Sequence, residues 1–366
     1  MSYYIGQMSG TSLDGVDSVL MRFADNEMTL IAQHHLEFSH ALKRNILKLC
    51  NGSENELHLS YTLANELSGL YANSVSSLLL SQNIASEHVI AIGCHGQTVR
   101  HQPPEYTVQL INAAVLAERS NIDVVCDFRA RDLAAGGQGA PLVPAFHQAL
   151  FRQTGEQQDT FVVNIGGMAN VSQLSHTGDV LGHDTGPGNV LMDAWCQLNL
   201  QKPYDENGQW AATGQVNQVL LDELLKEDYF HLPPPKSTGR ELFDLAWLQN
   251  QLTKCSVPDI SAQDIMSTLT QLTTDSIAME IEKLNHFGQV IICGGGALNH
   301  TLMARLNERL KSFHVFSSSK LGHDPQCIEA MAFAWLAKQC IERKSANVPE
   351  VTGAKGTRIL GAIYPA

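Results

Sequence analysis

Apolar residues run in short blocks at Tyr3 to Met8, Val16 to Phe23 and Met28 to Leu36, each closed by Gly, Asp or Asn, which predicts a three-strand meander. Helical spacing follows, first over Ala41 to Cys50 and then over Glu56 to Gln82, where Leu63, Leu67, Leu70 and Leu78 share a face. A strand at Val89 to Gly93, a helix at Ala113 to Ser120 and a buried strand at Asp123 to Phe128 come next. Then the order begins again. Thr160 to Asn164, Ala169 to Leu174 and Asp179 to Gly182 predict a second meander. Helices are expected at Gly188 to Asn199, Gln215 to Glu227 and Ser261 to Asn285, then a strand at Gln289 to Cys293, a helix at Leu298 to Leu310 and a short strand near Val315. A last helix is expected from about Ile328 to Arg343.

A meander followed by αβ crossovers, present twice, predicts an α/β fold of two similar domains facing a cleft. The length of 366 residues agrees with two domains. The expected boundary is the segment from Leu150 to Gln158, giving domains over 1–150 and 151–366, with the C-terminal segment left free to join the first. The triple proline Pro233 to Pro235 is expected to be a surface excursion within the second half.

Composition narrows the function. With 44% hydrophobic and 17% charged residues the chain reads as globular. A net charge of −13 argues against a broad contact with nucleic acid or an anionic membrane, so an anionic ligand must be held by local donors. The eight cysteines have no CxxC or CxxH spacing and read as buried thiols in a reducing compartment. With no basic n-region and no apolar stretch near eighteen residues, a cytoplasmic location is expected.

Glycine turns carry the candidate chemistry. In GTSLDGVD, Gly10, Thr11, Ser12, Leu13, Asp14, Gly15, Val16 and Asp17 join the first two strands, and their N–H groups and hydroxyls suit a phosphate chain where lysines are lacking. An ordinary β-turn explains the same residues. NIGGMANV stands at the equivalent turn of the second meander, where Gly166 and Gly167 allow close approach and Asn170 adds a short polar side chain. In ICGGGALN, Gly294, Gly295, Gly296 and Asn299 lead from an apolar strand into a helix and suit a base or ribose lying on the backbone. A tight strand-to-helix turn is the alternative. Neither a Rossmann fingerprint nor a P-loop is present.

Acid, base and donor groups cluster in four further segments. Asp184 in GHDTGPGN is expected just past a strand end and before a helix, with its carboxylate toward the cleft, which makes it the general-base candidate; a turn or N-cap role is the alternative. GCHGQTVRHQP concentrates His95, Gln97, Thr98 and Arg100, donors suited to a sugar, or else a loop satisfying its own backbone. DFRARDLAAGGQGAP adds Arg129 and Arg131 as carboxylate or phosphate holders, or as partners of Asp127 and Asp132. Glu329, beside Cys327, is a metal candidate against the alternative of a solvated first-turn glutamate.

The series GTSLDGVD, GCHGQT, DFRARD, GGQGAP, NIGGMANV, GHDTGPGN and CGGGALN, ending in HDPQCIEAMAFAWLA, resembles the anhydro-N-acetylmuramic acid kinases of the sugar kinase, heat-shock chaperone and actin superfamily. The resemblance spans nearly the whole chain and implies two actin-like, ribonuclease H-like domains. It implies phosphorylation of 1,6-anhydro-N-acetylmuramic acid with hydrolysis of its anhydro bridge, using ATP, Mg2+ and water, in murein recycling. On that basis Gly10 to Asp17 would bind the ATP phosphates and Asp184 would deprotonate the water attacking the anomeric carbon; the released 6-oxygen then attacks the γ-phosphoryl group. Partners would be the sugar and ATP, with a homodimer left open. Three rivals remain: a sugar kinase acting on an intact hydroxyl, a non-catalytic nucleotide-dependent sensor, and a two-carboxylate hydrolase using Asp184 with Asp14 or Asp127.

Overall fold

A computed structural model describes residues 2–10, 12–24, 27–152, 158–255 and 259–366. The chain divides into two units, 1–150 with 327–366, and 151–326.

The first 150 residues begin with β1 (Ser2–Ser9), β2 (Gly15–Ala24) and β3 (Glu27–Glu37), an antiparallel meander. Helices α1 (His40–Asn51) and α2 (Glu56–Gln82) lead to β4 (Val89–Gln102), which runs parallel to β1. The second half of β4 folds back on β5 (Tyr106–Leu110), and after α3 (Ala113–Ser120) comes β6 (Val124–Cys126), parallel to β4. Two helices close this part, α4 (Ala130–Ala134) and α5 (Val143–Phe151).

The second unit repeats the plan. Strands β7 (Thr160–Ile165), β8 (Met168–Leu174) and β9 (Val180–Pro187) form an antiparallel meander. Helices α6 (Val190–Leu200), α7 (Gln218–Leu224), α8 (Leu245–Lys254) and α9 (Ala262–Leu284) follow. Then β10 (Gly288–Cys293) lies parallel to β7, and α10 (His300–Arg309) leads to β11 (Phe313–Ser317), parallel to β10. The chain ends in the first unit with α11 (Ile328–Ile341), α12 (Pro349–Thr352) and β12 (Ala362–Tyr364), the last antiparallel to β6.

The sheet orders are β12-β6-β4-β1-β2-β3 and β11-β10-β7-β8-β9, so each meander is extended from its first strand by two parallel strands, with antiparallel β12 added at the edge of the first sheet. This is the actin-like, ribonuclease H-like order, present twice in an α/β chain.

Apolar periodicity explains both cores. Leu63, Leu67, Tyr71, Val75 and Leu78 on α2 are buried with Ile5, Leu20 and Ile92 of the first sheet. Ile265, Leu269, Leu272, Ile277 and Ile281 on α9 cover Val163, Val171 and Ile292 of the second. Each such side chain contributes about 1.5–3 kcal/mol on burial. Both helices that open on a serine are capped by it: the N–H groups of Leu42 and Asp264 donate to the hydroxyls of Ser39 and Ser261, each at 3.2 Å.

Helix α11 explains why the last segment belongs to the first unit. It packs on β1 and β4, where Gly6 and Gly93 leave room for its backbone; a Cβ on either would clash with the carbonyl oxygens of Ala330 and Phe333. The segment 327–366, which the expected division left free to join the first domain, groups with 1–150, and the packing that assigns it is long-range. At the other boundary, 153–157 of the expected linker lie outside the described residues.

Local expectations need four corrections. Strand β4 runs nine residues past Gly93, so His95, Gln97 and Thr98 stand inside a strand and not in a loop at its end. Strand β9 runs past Gly182, so Asp184 is a strand residue and not a residue beyond one. Polar side chains buried in these strands break the alternation that marks a half-exposed strand. Helices α4, α5, α8 and α12 and strands β5 and β12 had no counterpart in the pattern. Finally, Cys50 is exposed at the end of α1, while the other seven thiols are buried, and none of the eight forms a disulfide among the described residues.

Candidate active site

In the first unit the β1–β2 turn is tied to β4. The Gln97 side chain donates to the Gly10 carbonyl at 3.2 Å, and the Leu13 N–H donates to the same carbonyl at 3.3 Å. Leu13 sits at φ 60°, a left-handed position that a leucine adopts only where its surroundings compel it. Its side chain and that of Val16 belong to the core, which leaves only their main chain to meet a ligand. The Asp14 carboxylate takes the Ser12 hydroxyl at 2.7 Å and the Gly15 N–H at 3.1 Å. Asp17 bonds His35 at 2.7 Å, and this bond, against a smaller effect of burial, raises the His35 pKa. Thr11 lies outside the described residues.

The donor-rich segments of this unit meet one another. Arg129 donates from Nε and Nη2 to Nε2 of buried His95, at 3.1 and 3.0 Å, and from Nη1 to the Gly139 carbonyl at 2.8 Å. Burial, then the Arg129 charge, holds the His95 pKa well below its usual value, so the ring is neutral and Nδ1–H donates to the Gly96 carbonyl at 2.8 Å. Thr98 accepts from Gln109 at 3.3 Å, and Arg100 pairs with Glu56 at 2.8 Å. Arg131 is exposed on α4. Asp132 is buried and holds the glycine-rich loop and the C-terminal segment together, accepting from the Gly139 N–H, Asn347 and Thr352, all at 2.8 Å. Glu329 is half-buried in the first turn of α11.

In the second unit three turns converge. The carbonyls of Gly166 and Gly167 receive the N–H groups of Asn189, at 2.8 Å, and of Gly188, at 2.9 Å. Asn189 also donates to the Ile165 carbonyl at 3.1 Å. Gly294, at φ 78°, lies so close to Asn164 and Ile165 that any Cβ would meet them, and Gly296 is equally close to Ile165. Asn299 is the N-cap of α10 and accepts the Leu302 N–H at 3.0 Å.

Asp184 stands in the middle of β9, opposite Asn170, which in turn stands opposite Asn164 on β7. A one-residue bulge follows immediately, with Thr185 as the extra residue. The segment after the triple proline then closes on Asp184. Its N–H donates to the Lys236 carbonyl at 3.1 Å, its Oδ2 accepts the Thr238 N–H at 3.0 Å, and its carbonyl accepts the Tyr229 hydroxyl at 2.8 Å. Burial, then the charges of Asp184 and Glu280, pushes the Tyr229 hydroxyl pKa upward, so it stays a donor. Asn170 Oδ1 and Thr238 Oγ1 are buried and without a partner among the described residues.

Behind this strand lies an ionic cluster that the motifs did not reveal. Glu280 of α9 bonds Lys236 at 2.9 Å, Lys283 at 2.8 Å and His183 at 2.9 Å. Burial pushes the Glu280 pKa up, but these three donors overcome it and bring it down to about 2. Its signal in the sequence was a carboxylate on the apolar face of α9, between Ile277 and Ile281.

The profile of the anhydro-N-acetylmuramic acid kinase family matches residues 2–366. A family member from Nitrosomonas europaea is 49% identical, with the whole of both chains covered. One from Pseudomonas savastanoi is 46% identical over 100% of this chain and 99% of its own, and one from Vibrio cholerae is 46% identical over 99% and 98%. Among solved structures, an activator of 2-hydroxyisocaproyl-CoA dehydratase from Clostridium difficile with bound ADPNP aligns at 11% identity and TM-score 0.48, covering 93% of this chain and 97% of that one. A glucokinase from Streptomyces griseus in complex with glucose and AMPPNP aligns at 10% identity and TM-score 0.42, covering 92% and 100%.

Proposed function

The chain belongs to the anhydro-N-acetylmuramic acid kinase family, and we propose that Asp184 is the base that starts its reaction. The enzyme phosphorylates 1,6-anhydro-N-acetylmuramic acid with ATP while water opens the anhydro bridge, giving N-acetylmuramic acid 6-phosphate and ADP in murein recycling. Asp184 takes a proton from the water as its oxygen bonds to the anomeric carbon. The bond from that carbon to the bridging 6-oxygen breaks, and the freed 6-oxygen attacks the γ-phosphoryl group, expelling ADP. The observation that carries the assignment is the Thr238 N–H held on Asp184 Oδ2 at 3.0 Å, because a donor to the ionised carboxylate keeps the base deprotonated.

In the same proposal the Gly10–Asp17 turn takes the ATP phosphates, and Gly166, Gly167, Gly294, Gly295, Gly296 and Asn299 take the rest of the nucleotide. The convergence of three glycine turns in the second unit supports this. The unpartnered Asn170 Oδ1 supports a ligand contact there too. His95, Gln97, Thr98, Arg129 and Arg131 are assigned to the sugar; Arg131 is exposed, and His95 acts by orienting Arg129.

Among the described residues no three metal-ligating side chains come together. Mg2+ is proposed to arrive on the triphosphate, since this ion keeps several waters and takes one or two carboxylates. Glu329 is the residue proposed to hold it, where it would neutralise charge on the transferring group. A cytoplasmic site of action completes the proposal.

The test is an ATP-dependent assay in oxygen-18 water, read at early times by mass. The expected product is one water heavier than the phosphorylated anhydro sugar and carries label on the anomeric hydroxyl. A product with its bridge intact would establish a kinase acting on an ordinary hydroxyl instead.

A further inference from the structure

We propose that Lys236 is a positioning residue: its buried ion pair with Glu280 holds the 236–238 segment against β9, so that the Asp184 carboxylate stays ionised and fixed in direction. The inference rests on Asp184 acting as the base.

The segment carries no regular structure, and Leu232 to Pro235 and Ser237 around it are exposed. Nevertheless it meets two polar groups of Asp184, the N–H through the Lys236 carbonyl and Oδ2 through the Thr238 N–H, while the Tyr229 hydroxyl, from the stretch before the prolines, donates to the Asp184 carbonyl. The anchor lies at its centre. The Lys236 side chain is 3% exposed and so is that of Glu280, 2.9 Å away. Lys236 Nζ also donates to the Tyr229 carbonyl at 3.2 Å and lies 4.8 Å from the centre of that ring. One ammonium group thus ties together both stretches that hold Asp184.

Burying a lysine is costly, and a buried pair is weak evidence for stability as such. A purely structural pair would leave the titration of Asp184 alone, whereas this one controls it. Releasing the segment removes the Thr238 N–H from the carboxylate and raises its pKa. The charged groups around Asp184 act in opposite directions, the lysines favouring its ionisation and Glu280 opposing it. Tyr229 faces it from the stretch before the prolines and Lys236 belongs to the segment, while His183 precedes it on β9 with its ring turned to Glu280. From α9, Glu280 and Lys283 complete the cluster, while β8 presents the uncharged Asn170. Without the Lys236 charge, Glu280 opposes ionisation of Asp184 more strongly.

The test compares Lys236→Met, Lys236→Arg, Thr238→Pro and Asp184→Asn by the pH dependence of turnover on 1,6-anhydro-N-acetylmuramic acid with ATP. Lys236→Met is expected to lower kcat at neutral pH by about tenfold or more and to move the acid limb to higher pH, with KM for ATP changed less than about twofold. Lys236→Arg restores most of the rate. Thr238→Pro deletes the N–H while keeping the ion pair, and it is expected to move the acid limb in the same way with little change in melting temperature. It decides the matter where Lys236→Met does not fold. A wild-type acid limb in folded variants, with Asp184→Asn inactive, overturns the positioning role and leaves the base in place. An active Asp184→Asn removes both.

Discussion

The two sheets share one strand order but bury opposite kinds of polar group beneath it. Under the first sheet the set is neutral: Gln7 donates to Ser18 at 2.9 Å and to the Tyr71 carbonyl at 3.0 Å, Ser74 donates to Ser18 at 2.8 Å, and Ser9 meets the Tyr71 hydroxyl at 2.8 Å. Under the second sheet it is ionic, with Glu280 gathering Lys236, Lys283 and His183. A neutral network fixes geometry at every ordinary pH, and burial pushes the Tyr71 hydroxyl pKa further up. An ionic one adds a charge balance that a neighbouring carboxylate can feel. The difference fits a second unit proposed to supply the base.

The comparison breaks most visibly at Glu280. Glu280→Ala strands a buried lysine, and urea unfolding is expected to show a loss of about 3–5 kcal/mol. Ser74→Ala, removing one member of the neutral set, is expected to cost about 1 kcal/mol with no dependence on pH. Their pH behaviour sharpens the contrast. Glu280 titrates near 2 against an ordinary 4.5, so its contribution is complete above about 4.5 and is lost as pH falls toward 2. Glu280→Gln should therefore flatten the acid limb of stability against pH, and an unchanged limb would place the acid sensitivity elsewhere.

The smallest effect belongs to His35 and Asp17, whose side chains are 42% and 40% exposed. Here the His35 pKa is raised, chiefly by its hydrogen bond to Asp17, so the contribution is full below 6.5 and is lost as pH rises through the folded value. His35→Ala is expected to cost under about 1 kcal/mol at pH 6 and less at pH 9.

Much of the fold was legible because its elements are local. Helix α2 ends where its leucine stripe ends, and both meanders stand where their turn residues put them. What escaped depends on distant partners. Strand β4 carries His95 and Gln97 in its buried part, where polar side chains are answered by Arg129 and by the Gly10 carbonyl, so it has no apolar alternation to read. The return of 327–366 to the first unit rests on glycines of β1 and β4 that make room for α11. Around Asp184 the motif named the carboxylate, but Lys236 and Thr238 lie more than fifty residues on, beyond a proline run that reads as plain surface.

The central claim is that Asp184 is the base, and the most direct measurement is the turnover of purified Asp184→Asn on 1,6-anhydro-N-acetylmuramic acid beside its affinity for ATP. The account predicts that kcat falls by about 10²–10⁴ while ATP binds within about threefold of wild type. Turnover near the wild-type rate, with the fold intact, would contradict it.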